Sequence, residues 1–393
     1  MSISKNLLYK LILAAIIFRL FLSAFLYHPD LKTQYFHGQF LSQGVINIYN
    51  YLQVNRFKLG YSDTFNYPPL AYLFFGSHYT FSHLLLGNNL NNWINDWSAD
   101  HLFRPGLFAN LFILKLPYLL ADLLVLYLLI KLLSSAHRHL VLFWLYSPVS
   151  WYAIYATGQF DILPVLATVF SLYFYQKQKY SLSGLSLGIG AALKTYPILL
   201  FPALIIATPK LMDKLKIILL FLGFGLLSLG FNSQSGLIMR ILALGLPVSG
   251  TQSILFYPFV YFFSLWILFF HPKKLLWFFF TCTLAVITFS QFHFQWVLWS
   301  MPFLTILVSK QKSLILPSIF LIILTFAHQF LLNDQYSLIA LFSPINPSLT
   351  SVPSIPNLLL QLKLPLDLIN TFIQTGIFAT GIYLISKTYE VEI

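Results

Sequence analysis

Charge is what this sequence has least of. Only 9% of its 393 residues are charged, against about a quarter in a soluble globular chain. Acidic residues are the scarcer sign: 11 aspartates and glutamates stand against 23 lysines and arginines. With 58% hydrophobic and 18% aromatic residues, the composition excludes a soluble domain and reads as a polytopic membrane protein. Cysteine is nearly absent. The single one, Cys282, excludes an intrachain disulfide and a cysteine metal cluster, and its apolar surroundings make it a small core residue. The net charge of +12 does not imply nucleic acid. The basic residues gather at the ends of apolar runs on one side, the positive-inside pattern. No internal repeat is visible, which argues against an inverted-repeat transporter.

Taken in order, the apolar runs predict an all-α bundle. The first, Leu7 to Leu26, has Lys5 and Lys10 before it, so it starts in the cytoplasm and emerges outside. At about twenty residues it is long enough to span, and is a poor cleavable signal. Arg19 lies inside it and needs a partner. Residues 28–106 form a long external loop with juxtamembrane helices. Its apolar stretch 69–86 is read as non-spanning, because a crossing there would put every later lysine-rich loop outside. The core, 107–332, then alternates. Leu116 to Leu133 runs inward to Lys131, His137, Arg138 and His139, and Leu140 to Thr157 returns. Gly158-Gln159-Phe160-Asp161 is an outer turn, and Ile162 to Gln176 runs in to Lys177 and Lys179. Residues 181–208 have cytoplasmic lysines on both flanks and are broken by Lys194-Thr195-Tyr196-Pro197. They read as two short helices of about 20 Å each, too short for a core of about 30 Å, so the turn lies in a recess below the outer surface. Pro197 favours the break by disfavouring helix at Tyr196. Arg240 falls in an outer loop, and Gln291-Phe292-His293-Phe294-Gln295-Trp296 in an outer turn. An external loop, 333–366, and a last helix with a cytoplasmic tail, 367–393, complete a single domain of about twelve spans with both termini inside.

Two inferences follow from depth. Arg19 and Asp122 each lie roughly 9–12 Å below the outer ends of sequential antiparallel helices, and are expected to form a buried ion pair. Asp30, at the outer end of the first span, is the first charge the chain meets there, placed to act as a general base on a lipid-borne substrate. Asp30, the Gln159–Asp161 turn, the Lys194 turn and the His293 turn share the outer face.

These residues carry a resemblance. The acid after the first helix (Asp30), the Phe65-Asn66-Tyr67-Pro68-Pro69-Leu70 stretch, Trp144-Leu145-Tyr146-Ser147-Pro148 before the Gln159–Asp161 turn, Lys194-Thr195-Tyr196-Pro197 after a glycine-rich helix, and the His293 turn occur in an order that resembles GT-C integral-membrane glycosyltransferases. The likeness is to mannosyltransferases that use a polyprenyl-phosphate sugar, such as those adding the first mannose to glycosylphosphatidylinositol or making phosphatidylinositol mannosides. It spans roughly residues 20 to 300. Many relatives carry two acids in the first loop; here Leu31 and Lys32 follow Asp30, which favours a single base without a metal or other cofactor.

The resemblance implies inverting transfer of a hexose, such as mannose, from a polyprenyl-phosphate donor to an acceptor hydroxyl of a glycolipid or glycan. The site would lie at the outer face, in the plasma membrane. Asp30 would be the base, and Lys194, His293 and Arg240 would hold the donor phosphate. His28, Gln159, Asp161, Tyr196 and Gln295 would contact substrate. Each has a structural reading beside the functional one. Asp30 and Asp161 can cap helices, Lys194 can snorkel, and His293 can pack at the interface. A second class, a transporter or flippase of a lipid-linked glycan, would need ionisable residues at mid-membrane depth, where the sequence offers mainly Arg19 and Asp122. A third, a non-catalytic assembly factor, would tolerate Asp30→Asn.

Overall fold

A computed structural model describes residues 5–133, 141–230, 253–290 and 292–391. His137, Arg138, His139, Arg240 and Gln291 lie outside the described residues. The chain is helical, with no strand among the described residues. Among the described residues five helices are long and apolar enough to cross a membrane: Asn6–Phe25, Leu107–Leu132, Pro272–Phe289, Lys312–Leu332 and Leu366–Tyr389. Ile162–Gln176, Tyr180–Leu193, Tyr196–Ala207 and Phe256–Phe270 are apolar but shorter.

Six helices make the first third: α1 (Lys5–Phe25), α2 (Pro29–Ser42), α3 (Ile48–Asn55), α4 (Pro69–Leu86), α5 (Asn88–Asn95) and α6 (Leu107–Leu132). α1 packs on α6, and α4 lies along α2. Helix α4 is not among the five long apolar helices. Its interior polar residues, Ser77, His78, Thr80, Ser82 and His83, dilute it, and His78 Nε2 meets the Ile113 carbonyl at 3.1 Å.

The centre of the molecule is apolar on every side. All of Leu275–Phe289 is buried, as is Val297 to Ser309, which is what helices without a polar face must do. The outer surface is also apolar: Phe259, Phe262, Trp266 and Phe269 of the helix Ser253–Phe270 are exposed. Apolar flanks of this extent fit lipid as the surrounding medium. The glycine-rich helix Tyr180–Leu193 packs against Ile162–Gln176 and Leu211–Gly230. A Cβ on Gly184 would stand 2.8 Å from Ile217 Cα, so two backbones meet there.

The structure departs from the sequence reading in four places. The segment 140–157 is not one helix but three pieces, Leu142–Leu145, Pro148–Ser150 and a π-helical turn, Trp151–Ala156. Pro148 interrupts the first, and Arg19 takes the Leu145 carbonyl that helix continuation would have used. Helix α6 begins at Leu107 rather than Leu116 and accommodates Pro117. The second half of the 181–208 hairpin is a 3₁₀ turn, Tyr196–Leu200, followed by the short helix Phe201–Ala207. The loop 333–366 is largely ordered in 3₁₀ turns and a helix, Ile355–Gln361.

Candidate functional site

Asp30 is the second residue of α2. Pro29 opens that helix, and the His28 ring caps it, Nδ1 accepting the Asp30 N–H at 3.2 Å. The Asp30 side chain is 47% exposed, so its carboxylate is both held and reachable. Gln159 Nε2 donates to Asp30 Oδ2 at 2.5 Å, and His28 Nδ1 stands 3.5 Å from Oδ1.

The turn at 158–161 is the hub of the site. Gly158 has φ +64, and a Cβ there would press on the Leu31 side chain at 3.2 Å, so glycine meets both demands. Gln159 then reaches Asp30. The Phe160 ring lies 4.8 Å from that of Tyr67 and 5.1 Å from that of Phe75. Asp161 is wholly buried and turns to the opposite side. It accepts Lys194 Nζ on both oxygens at 2.7 Å and Trp299 Nε1 on Oδ1 at 2.6 Å. Its side chain makes no capping bond to the helix that follows.

Lys194 ends the helix Tyr180–Leu193 in an extended conformation, φ −152 and ψ 147, which points its side chain out of the hairpin. The side chain is 11% exposed. Its ammonium is ringed by Phe160, Trp299 and Tyr67 at 5.2, 5.6 and 5.7 Å. Tyr196 stacks flat on Trp299, ring centres 4.0 Å apart, and is buried. Trp299 stacks in turn on Trp296, which meets the exposed His293. Burial, then the Lys194 charge, lower the His293 pKa against the opposing pull of Asp30 and Asp161. His293 is thus neutral near pH 7, with one ring N–H to donate. Gln295 sits half-buried in the same turn. Among the described residues no group of three or more metal-competent side chains occurs; Asp30 and His28 are the pair nearest to one.

Beneath the site lies a second polar layer. Arg19 Nε meets Asp122 Oδ2 at 2.7 Å, both buried. Asp122 also accepts Trp144 Nε1 and Tyr155 Oη, each at 2.7 Å. Arg19 adds the Leu145 carbonyl at 2.9 Å. Lys115, wholly buried, donates to the Leu26 carbonyl at 2.6 Å and the Tyr155 carbonyl at 2.7 Å. Leu26 lies four residues before Asp30, and Tyr155 four before Gln159. One ammonium therefore ties together the two chain segments that deliver the Asp30–Gln159 pair.

Of the residues expected at the site, His28, Asp30, Gln159, Asp161, Tyr196, Lys194, His293 and Gln295 gather within one connected set of elements. Two of these face inward rather than out: Asp161 and Tyr196 are buried against Lys194 and Trp299. Sequence reading passed over Lys115 and Trp299 and gave Tyr67 no role of its own. Lys115 fell just before the expected start of its span at Leu116, so it read as a helix-end cation, whereas the helix begins at Leu107. Trp299 follows Trp296 at helical spacing. No family model matches this chain, and no curated protein is detectably similar to it in sequence.

Proposed function

We propose that this protein is a membrane glycosyltransferase that moves a hexose from a polyprenyl-phosphate donor to an acceptor hydroxyl at the outer membrane face. The observation that carries the reading is the Gln159–Asp161 turn. Its first side chain holds a half-exposed carboxylate, Asp30, and its last holds a cation, Lys194, so one short turn links a base and a phosphate partner. Asp30 takes the proton of the attacking hydroxyl. The acceptor oxygen bonds to the anomeric carbon as the sugar–phosphate bond breaks, with inversion. Lys194 has three N–H groups; two are engaged by Asp161, and the third is offered to the departing phosphate. His293 supplies a second donor. Asp161 and Tyr196 position Lys194 and touch no substrate. In this reading the chain makes about twelve passes, counting the short helices, in the plasma membrane.

A transporter or flippase is the less favoured reading. Arg19, Asp122 and Lys115, the charges buried in the bundle's second polar layer, are all satisfied by fixed internal bonds, so none of the three is free to carry a substrate between faces.

Asp30→Asn tests the proposal because it keeps the shape and removes the base. Single-turnover transfer from a polyprenyl-phosphate hexose should fall about 10²–10⁴-fold while donor binding stays intact. Near-normal turnover in Asp30→Asn would remove Asp30 as the base.

A further inference from the structure

Two glutamines near Asp30 carry buried amide atoms without a hydrogen-bond partner among the described residues. Gln34 stands one helical turn beyond Asp30 on α2 and is 3% exposed. Neither its Nε2 nor its Oε1 reaches a hydrogen-bond partner among the described residues. Gln159 gives its Nε2 to Asp30, yet its buried Oε1 has no partner either. An unbonded buried polar group is costly to keep, and an unbonded glutamine amide beside a reachable carboxylate is a place where a ligand can complete the bonds.

Their placement is shared. Residues four apart on a helix lie one above the other, so Asp30 and Gln34 point to the same side of α2. Lys32, between them, points the other way, to the Trp93 and Trp97 rings at 5.4 and 4.5 Å. The side with Gln34 is covered by half-buried Tyr67. Its hydroxyl approaches the Gln34 amide without the geometry of a full hydrogen bond, and lies in the electrostatic reach of Asp30 and Asp161. The same ring lies beneath Lys194 Nζ. Gln34 therefore faces the space between the carboxylate and the ion pair.

We propose that Gln34 and Gln159 form a subsite that reads two neighbouring hydroxyls of a sugar ring. An amide donates and accepts, as a hydroxyl does. Gln159 Oε1 accepts from one hydroxyl, and the Gln34 amide donates to and accepts from the next, with Tyr67 displaced to admit the ring. This deepens the sugar-transfer reading and rests on it for the identity of the ligand. It makes Gln34 a specificity-determining residue: a site built to bond a hydroxyl discriminates strongly against the analogue that lacks it.

The test compares Gln34→Leu with the unmodified protein on a polyprenyl-phosphate hexose and its monodeoxy analogues. The substitution should lower kcat/KM for the parent donor about 10- to 100-fold and lose most of that effect on one deoxy donor only. An equal loss on every donor, deoxy or not, overturns the subsite and leaves transfer standing. Gln34→Met replaces Gln34→Leu where the latter does not fold. A second readout needs no turnover: methyl hexosides should raise the thermal midpoint of the unmodified protein and of Asp30→Asn, and not of Gln34→Leu. Protection that persists in Gln34→Leu overturns the subsite. Gln34-dependent protection in a protein that transfers sugar from no donor would keep the subsite and remove the transfer reading.

Discussion

At the scale of the residue, neighbours decide what a charged group can do. Asp30 is bonded by Gln159 and stays half-exposed, whereas Asp161, two residues beyond Gln159, is sealed behind Lys194 and Trp299. The same residue type is thus a reachable base at one position and a buried counter-ion at the other. His37, on α2 beyond Gln34, shows a different outcome. Burial lowers its pKa to about 4, against a smaller raising effect of Asp63. The unfolded chain binds a proton at ordinary histidine pKa values, so between about pH 6.5 and 4 it binds more protons than the folded state, and stability falls as pH falls. Acidification across that window should cost about 3 kcal/mol through His37. His37→Phe should flatten the acid side of a thermal-midpoint curve between pH 6.5 and 4. An unchanged acid slope would show that the ring is solvated in the folded protein.

At the scale of the element, two devices hold the bundle around the site. One is the Arg19–Asp122 layer, which joins α1 and α6 to the broken segment 142–156. That segment is broken at Pro148, and Arg19, on the Leu145 carbonyl, with Asp122, on Trp144 and Tyr155, anchors it from the side. Asp122→Ala leaves a buried guanidinium unpaired and should destabilise the fold by about 3–5 kcal/mol, measured as a lowered thermal midpoint and yield in detergent. Full expression and an unchanged midpoint would mean that the layer holds nothing together. The other device is the backbone contact of the glycine-rich helix. Gly184→Val forces a side chain into the Ile217 backbone and should destabilise by about 1–3 kcal/mol, whereas Gly223→Ala, with nothing within 4 Å, should be neutral. Equal thermal midpoints for the two variants would sink the close-packing account.

At the scale of the whole molecule, the question is which side each loop faces. A reporter placed after Lys179, Lys216, Lys274 or Lys312 should read cytoplasmic, and one between Asn333 and Asn357 external, because basic loops stay inside. An external reading after Lys216 would mean that the hairpin 181–208 crosses once. Length alone supports five crossing helices. The shorter ones, such as Ile162–Gln176 and Tyr180–Leu193, are paired with one another and meet the site turns at Asp161 and Lys194.

Much of this protein was legible from residue order alone. Scarce charge and long apolar runs dictate a helical membrane chain, since backbone polar groups in lipid must be bonded within helices. The Lys194 break was legible because flanking lysines and Pro197 leave few alternatives. The approach of Arg19 to Asp122 followed from equal depth on adjacent helices. What residue order could not convey is direction. Asp161 and Lys194 are 33 positions apart, and only packing of the hairpin against the 158–161 turn makes each the other's partner. Lys115 looked like any helix-end cation, and its two carbonyl partners come from segments 89 and 40 positions away. Neither the break at Pro148 nor the π-helical turn was read from the sequence; the turn is held by side chains of α1 and α6 rather than by its own residues. Local physics placed the helices; which polar side chains meet among them was decided only when distant segments closed on one another.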